Sequence, residues 1–311
     1  MRELSAEGLE LLAAIERDQM LESFHHGVVA VVDPEGNLIF SKGDVFALIY
    51  PRSALKPVQA AAMKLAGLEL NERERVMTMA SHYATKAQVG LVAEILSSQG
   101  ITEEQLGCPE ALPWNPVAKV GAVPKRIQMN CSGKHAGFLA ASQLNGWNLD
   151  SYLKPSHPMQ KLVKQELERL SGEQVEKVST DGCGAPLFAL STLGLARAIS
   201  NFVQEQPEMV AAAIANPELI GDADTPDAGF LRAGLFSKLG AEGVFTVATI
   251  DGHALALKVA DGSLRPAASY AATLLNQLGL MTTKQQEIAI ATDKTEVLGG
   301  DEVLGGWDFY F

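Results

Sequence analysis

The sequence predicts an α+β fold, with an antiparallel sheet built from both chain ends and a mostly helical lobe between them. Two observations carry that expectation. Paired β-branched runs joined by turn residues occur near the start and again near the end, and the segments between recur every three or four residues. In chain order, "MRELSAEGLELLAAIERDQM" interleaves Glu and Arg with Leu and Ile, the pattern of an amphipathic helix. It lacks the unbroken apolar core of a signal peptide. From Gly27, "GVVAVVDPEGNLIFSKGD" sets two apolar runs around Asp-Pro-Glu-Gly-Asn, a hairpin. The helical segments follow: "AQVGLVAEILSSQG", "HAGFLAASQLNGW", "PMQKLVKQELERLSG", "APLFALSTLGLARAISNFV" and "MVAAAIA", each stopping near Gly, Asn or Pro. "VFTVATIDGHALALKVADGSLRP" is a second hairpin turning at Asp251-Gly252, and "YAATLLNQLGLM" is a helix expected to pack on the sheet. The expected organisation is one unit over 1–311, with a sheet lobe from about 20–52 and 240–311 and a helical lobe over about 53–239. A cleft between the lobes is the default ligand site.

A chain of 311 residues, 47% hydrophobic and 20% charged, can bury a large core. Its 37 acidic against 25 basic side chains give a net charge of -12, the wrong sign for a phosphate backbone. Nucleic acid is therefore not an expected partner. No run of about 18 uncharged apolar residues suits a membrane span. Three cysteines, Cys108, Cys131 and Cys183, are an odd number, which fits a reducing cytoplasm better than a disulfide framework.

Chemistry enters at "RSALKPVQA", where Ser53 precedes Lys56 by three residues, one helical turn. A neutral lysine there could take the serine proton. The spacing alone is weak, since "SYLKP" repeats it in a turn-rich region, and a serine at a helix start is also an ordinary N-cap. Pro57 falls in the first turn, where a missing N–H costs least, yet it disfavours helical geometry at Lys56. Such a local conflict suits a functional site. To act as a base, Lys56 needs a pKa below its free value near 10.4, which burial or a second cation would supply. Lys258 in "ALALKVADG" lies among apolar strand residues, where the ordinary explanation is a strand-edge lysine reaching water. "NCSGKHAGF" holds Cys131 and Lys134 at a helix entrance, and "STDGCGAP" holds Asp181 and Cys183 in a glycine-rich turn. Two thiolates could bind zinc, with Asp181, Lys134, His135 or water completing the set. Cys131 as a nucleophile beside His135 and inert buried cysteines are the other readings. "ASHYA" places Ser81 and His82 after an apolar run.

Taken together, "RSALKPVQA", "ASH", "NCSGKHAGFLA", "HPMQ", "DGCGAPLFAL" and "ALKVADGSLRP" resemble, in this order, the class 3 (rhizobial-type) L-asparaginases, from about Phe24 to Pro266. The resemblance implies a fold like that of serine β-lactamases and glutaminases. It implies that Ser53 is the nucleophile with Lys56 as its tandem lysine, and that Ser81 and Lys258 form a second Ser–Lys pair. It implies a zinc site at Cys131, Lys134 and Cys183, with Asp181 beside it. It places Arg52, His82 and Asp181 at the substrate, L-asparagine, and implies a homodimer. The implied activity is hydrolysis of L-asparagine to L-aspartate and ammonia through an acyl-enzyme. A zinc-hydroxide amidohydrolase using Cys131 and Cys183, a β-lactam-acylating relative and a non-catalytic amino-acid-binding homologue are the alternatives. The chain departs from the family pattern at Tyr83 to Thr85, at Trp114 to Gly121 and at Gly221 to Thr225, all segments expected to bear on substrate choice.

Overall fold

Both chain ends feed one antiparallel sheet in the computed structural model, which describes residues 2–293 and 296–311. The strands are β1 (Glu10–Arg17), β2 (Met20–Val32), β3 (Leu38–Lys42), β4 (Leu48–Ile49), β5 (Val178–Thr180), β6 (Pro186–Phe188), β7 (Leu190–Ser191), β8 (Phe236–Gly240), β9 (Val244–Ala248), β10 (Ala254–Val259), β11 (Glu296–Gly299) and β12 (Glu302–Phe309). In the main sheet they run β11-β12-β1-β2-β10-β9-β8, with β3 also pairing β2; β4 with β7 and β5 with β6 form two short ladders. The two sequence hairpins thus meet where β2 pairs β10, with Lys258 opposite Val28.

The amphipathic helix expected at the N-terminus is instead strand β1. Leu12, Ala13, Ala14 and Ile15 are all buried, a run of consecutive positions that no one-sided helix would cover. Pairing with β2 and β12 on either side satisfies its backbone, and Asp18 and Gln19, both at positive φ, turn it into β2. A short apolar run cannot by itself separate a buried strand from a helix. Likewise "APLFALSTLG" begins as β6 and β7 before the helix takes over.

The helices are α1 (Lys56–Leu65), α2 (Glu72–Met79), α3 (Lys86–Ser97), α4 (Pro116–Lys119), α5 (Ser132–Leu144), α6 (Pro158–Ser171), α7 (Thr192–Glu205), α8 (Pro207–Ala215), α9 (Pro217–Ile220), α10 (Pro226–Arg232), α11 (Ala267–Gln277) and α12 (Thr283–Ala289). Strand alternation sorts the sheet into two faces. Ala30, Val32, Ala254 and Ala256 join the core of the helical lobe, while Val29, Val31, Leu255 and Leu257 pack with α11. Small residues on the first face let α7 approach closely. α1 and α5 lie deep in the helical lobe, Ala60, Ala61 and Ala62 against Phe138, Leu139 and Ala140, so the start of each is anchored from behind. Those two starts carry Ser53 with Lys56, and Cys131 with Lys134.

Candidate active site

Ser53 lies in a single 3-10 turn, Arg52–Leu55, that runs straight into α1, with Pro57 in the first helical turn as expected. Arg52 sits at φ 53, a left-handed conformation that costs a side-chain-bearing residue about 1–2 kcal/mol. Such strain persists only where the surroundings impose it. Here they do: Arg52 Nε donates to Asp181 Oδ1 at 2.7 Å, and Gly240 of β8 presses on the turn from the other side. A Cβ on Gly240 would stand 2.5 Å from the Pro51 carbonyl oxygen and 3.1 Å from the Ala54 nitrogen. Only glycine lets the free edge of β8 lie against the Ser53 turn.

Lys56 is 1% exposed. Its Nζ donates to Ala80 O and, at 3.1 Å, to Ser81 Oγ, so it bridges the Ser53 turn to the loop after α2. Burial lowers its pKa to about 8; the Cys131 and Cys183 sulfurs oppose this and the cations Lys134 and Lys238 reinforce it. Ser81 is buried, and its N–H donates to Ile220 O. His82 is fully buried, accepts at Nδ1 from Ala84 N–H (3.0 Å) and so donates from Nε2 to Ser132 Oγ (2.7 Å), which donates on to Ile127 O. Burial and the Lys56 charge push its pKa down to about 3. Its two ring hydrogen bonds hold the Ser81 loop against the start of α5.

Lys258 lies apart from Ser81's hydrogen bonds. It is half-buried near the end of β10, its Nζ donates to Val259 O, and it lines a cavity of about 290 Å³ together with Tyr50, Arg52, Asp181 and Glu242. The second lysine whose field reaches Lys56 from the sheet is Lys238 on β8, a residue that sequence reasoning missed. It is completely buried, with Nζ donating to Asp227 Oδ2 (2.8 Å) and Leu239 O (3.0 Å). Asp227 Oδ1 accepts in turn from Ser237 Oγ and Leu239 N–H, capping the open edge of β8. The signal lay in "LFSKLGAEGVF", a lysine inside an apolar run with a glycine two residues later.

Beside the Ser53 turn, Lys134 Nζ stands 3.1 Å from Cys183 Sγ, and Cys183 Sγ lies 3.6 Å from Asp181 Oδ2. The Cys131 thiol donates to Asn130 Oδ1 at 3.7 Å; its interaction with Cys183 and burial push Cys131 up to about 12, while the same interaction, against burial and with help from Lys134, draws Cys183 down to about 5. Although burial opposes it, the two sulfurs and Asp181 hold the Lys134 ammonium above its ordinary value. The cluster gathers the two cysteine sulfurs and the Asp181 carboxylate around Lys134 Nζ. Among the described residues no group of three or more His, Cys, Asp or Glu is gathered for a metal, so zinc here would need Lys134 as a donor, stripped of its proton. His135 hydrogen-bonds Tyr152 Oη through Nδ1 at 2.7 Å rather than Cys131. Burial, reinforced by Lys134, lowers its pKa to about 3.

The segments 83–85, 114–121 and 221–225 come together in one wall. Asn115 N–H donates to Tyr83 O (2.8 Å), Asn115 Nδ2 to Asp222 Oδ2 (2.9 Å), and the Tyr83 and Trp114 rings meet edge to face at 5.6 Å. This wall adjoins Ser81 through Ile220.

The model of a family described as L-asparaginase II matches residues 13–308. No curated protein matches the chain. Among solved structures, the native form of Mglu is 13% identical over 83% of this chain and 65% of its own, with a TM-score of 0.45. A β-lactamase from Mycobacterium bovis is 14% identical over 81% of this chain and 94% of its own, with a TM-score of 0.36.

Proposed function

The chain belongs to the L-asparaginase II family, and from that premise we propose that it is an amidohydrolase that releases ammonia from L-asparagine through an acyl-enzyme on Ser53. The observation that carries this proposal is the buried, pKa-lowered Lys56 bridging the Ser53 turn to Ser81. Neutral Lys56 takes the Ser53 proton as Oγ attacks the side-chain amide carbon. Backbone N–H groups at the helix start, that of Ser53 included, face the tetrahedral oxyanion and favour it. As the C–N bond breaks, the proton on Lys56 passes through the Ser81 hydroxyl to the leaving nitrogen, and ammonia departs. Water then cleaves the aspartyl ester, with Lys56 again as base, and restores Ser53. Lys238, held by Asp227, supplies a second positive charge that helps keep Lys56 poised between its two protonation states.

Cys131, Lys134 and Cys183 would hold zinc, which when bound supplies a positive charge that neutralises the thiolates and ties their two loops together. The cytoplasmic setting, which three free cysteines favour, and the homodimer belong to the same proposal. The test is ammonia release from L-asparagine by wild type and Ser53→Ala, with the acylated enzyme sought by mass spectrometry after acid quench. Loss of about a thousandfold or more and no trapped aspartyl adduct on Ser53→Ala is the expected result. Near-normal release by Ser53→Ala, with loss on chelation, would transfer the chemistry to a zinc-bound hydroxide.

A further inference from the structure

Gln88 lies in the first turn of α3 and is buried. Half of its side-chain amide has an ordinary explanation. Gln88 Oε1 accepts from Thr85 N–H at 3.1 Å while Thr85 Oγ1 accepts from Gln88 N–H at 3.3 Å, a capping box at the helix start. A glutamate would complete that box equally well. Oε1 also accepts from Tyr83 N–H at 3.1 Å, so one oxygen holds both ends of the turn 83–85. The other half of the amide has no part in the box. Nε2 donates to Gly221 O at 2.6 Å and Glu218 O at 3.1 Å, with Leu219 O at 3.4 Å, all on a segment more than a hundred residues further along the chain. These carbonyls belong to α9 and the residue after it, where a helix leaves its last carbonyls without internal partners. The carbonyl among them that Gln88 does not take, Ile220 O, accepts from Ser81 N–H at 2.8 Å. Joining two strips of backbone in this way needs donors and an acceptor on one side chain: a carboxylate lacks the first and an ammonium the second. Ser81 Oγ accepts from Lys56 Nζ at 3.1 Å, and a shift of about 1 Å would take it out of hydrogen-bond reach.

We propose that Gln88 is a positioning residue for the reaction: its amide latches the turn after Ser81 to the end of α9 and so holds Ser81 Oγ against Lys56. The inference rests on the amidohydrolase proposal for what Ser81 transfers, and adds what keeps Ser81 in place. Gln88 carries no proton of the reaction. Its effect passes through Ser81 and therefore belongs to kcat rather than to KM. A capping box alone would support α3 and leave Ser81 untouched.

The experiment measures ammonia release from L-asparagine together with backbone amide hydrogen exchange on the full chain. Gln88→Met removes both halves of the amide at similar volume, whereas Gln88→Glu keeps the capping acceptor and removes the donors. Each is expected to lower kcat about tenfold or more with KM within about threefold. In a Ser81→Ala background, Gln88→Met should lower kcat no more than about twofold further, because the group it positions is gone. Equal falls in the two backgrounds, a change confined to KM, or full activity in Gln88→Glu would overturn the proposal. Exchange reads the latch without turnover. The Ser81 amide should exchange about tenfold faster or more in Gln88→Met, with the amides of α5 within about twofold of wild type. Unchanged exchange at Ser81, or an equal acceleration throughout α5, refutes the latch. If Ser81→Ala is too slow to follow, the exchange comparison decides alone. Should wild type release no ammonia, the amidohydrolase proposal fails by itself, and exchange still decides this one.

Discussion

Lys56 faces a conflict that its surroundings resolve. Its ammonium must sit where water is excluded, which favours the neutral form, yet two sulfurs nearby favour the charged one. The outcome, a value of about 8, leaves a usable fraction of free base at neutral pH. In the proposed mechanism the neutral form is the active one, so kcat/KM for ammonia release should rise with pH to a plateau, with an apparent pKa near 8. Lys238 lowers that value, so removing its charge should raise it and shift the limb to higher pH. The double variant Lys238→Met/Asp227→Asn tests this without leaving a bare buried carboxylate, which would cost several kcal/mol. A limb that stays in place or moves to lower pH would refute the role of Lys238. At Ala84 the backbone is left-handed, φ 59, with the residue buried and its N–H tied to His82. Ala84→Gly should therefore raise stability by about 0.5–1 kcal/mol, the strain relieved less the entropy gained by the unfolded chain, measurable by urea unfolding.

At the scale of elements, the edge of β8 against the Ser53 turn is what closes the site. Gly240→Ala would place a methyl 2.5 Å from the Pro51 oxygen, backbone on backbone, where neither side can yield cheaply. It should cost about 1–3 kcal/mol of stability and reduce kcat more than tenfold, because the Ser53 turn and Lys238 part company. Normal kcat with lowered stability would separate packing from function. The hairpins β2–β3 and β9–β10, the helices α3, α5, α6 and α8, and the Pro57 start of α1 were legible in sequence, since local turn chemistry and periodicity determine them. Strand β1 was not: its polarity pattern satisfies a helix, and only β2 and β12 on its two sides favour the extended form. Lys238 was hidden for a related reason. Its five-residue strand carries no period of its own, and its ion-pair partner, Asp227, lies on a different element, α10.

For the whole molecule, the cysteine cluster joins two loops some fifty residues apart, one opening α5 and one between β5 and β6. If zinc occupies it, binding should raise the melting temperature, release protons as Lys134 gives one up, and vanish in Cys183→Ser. Calorimetry in buffers of different ionisation enthalpy, with metal content measured on the same samples, checks all three. Zinc that leaves the melting temperature unchanged would rule out a tie between the loops. Segments 83–85, 114–121 and 221–225 are scattered in sequence yet form one hydrogen-bonded wall next to Ser81.

Residue order alone determined the α+β class, the two hairpins, the family and the identity of Ser53, Lys56, Cys131 and Cys183 as the residues to watch. These follow from local propensity and from motifs carried on continuous stretches. Tertiary structure decided which lysine neighbours which serine. Lys56 reaches Ser81, Lys238 comes in from the sheet edge, and Lys258 turns to the cavity beside Arg52. The physical reason is that a lysine's charge and partners depend on burial and on groups far away in sequence, and neither is encoded in the few residues around it.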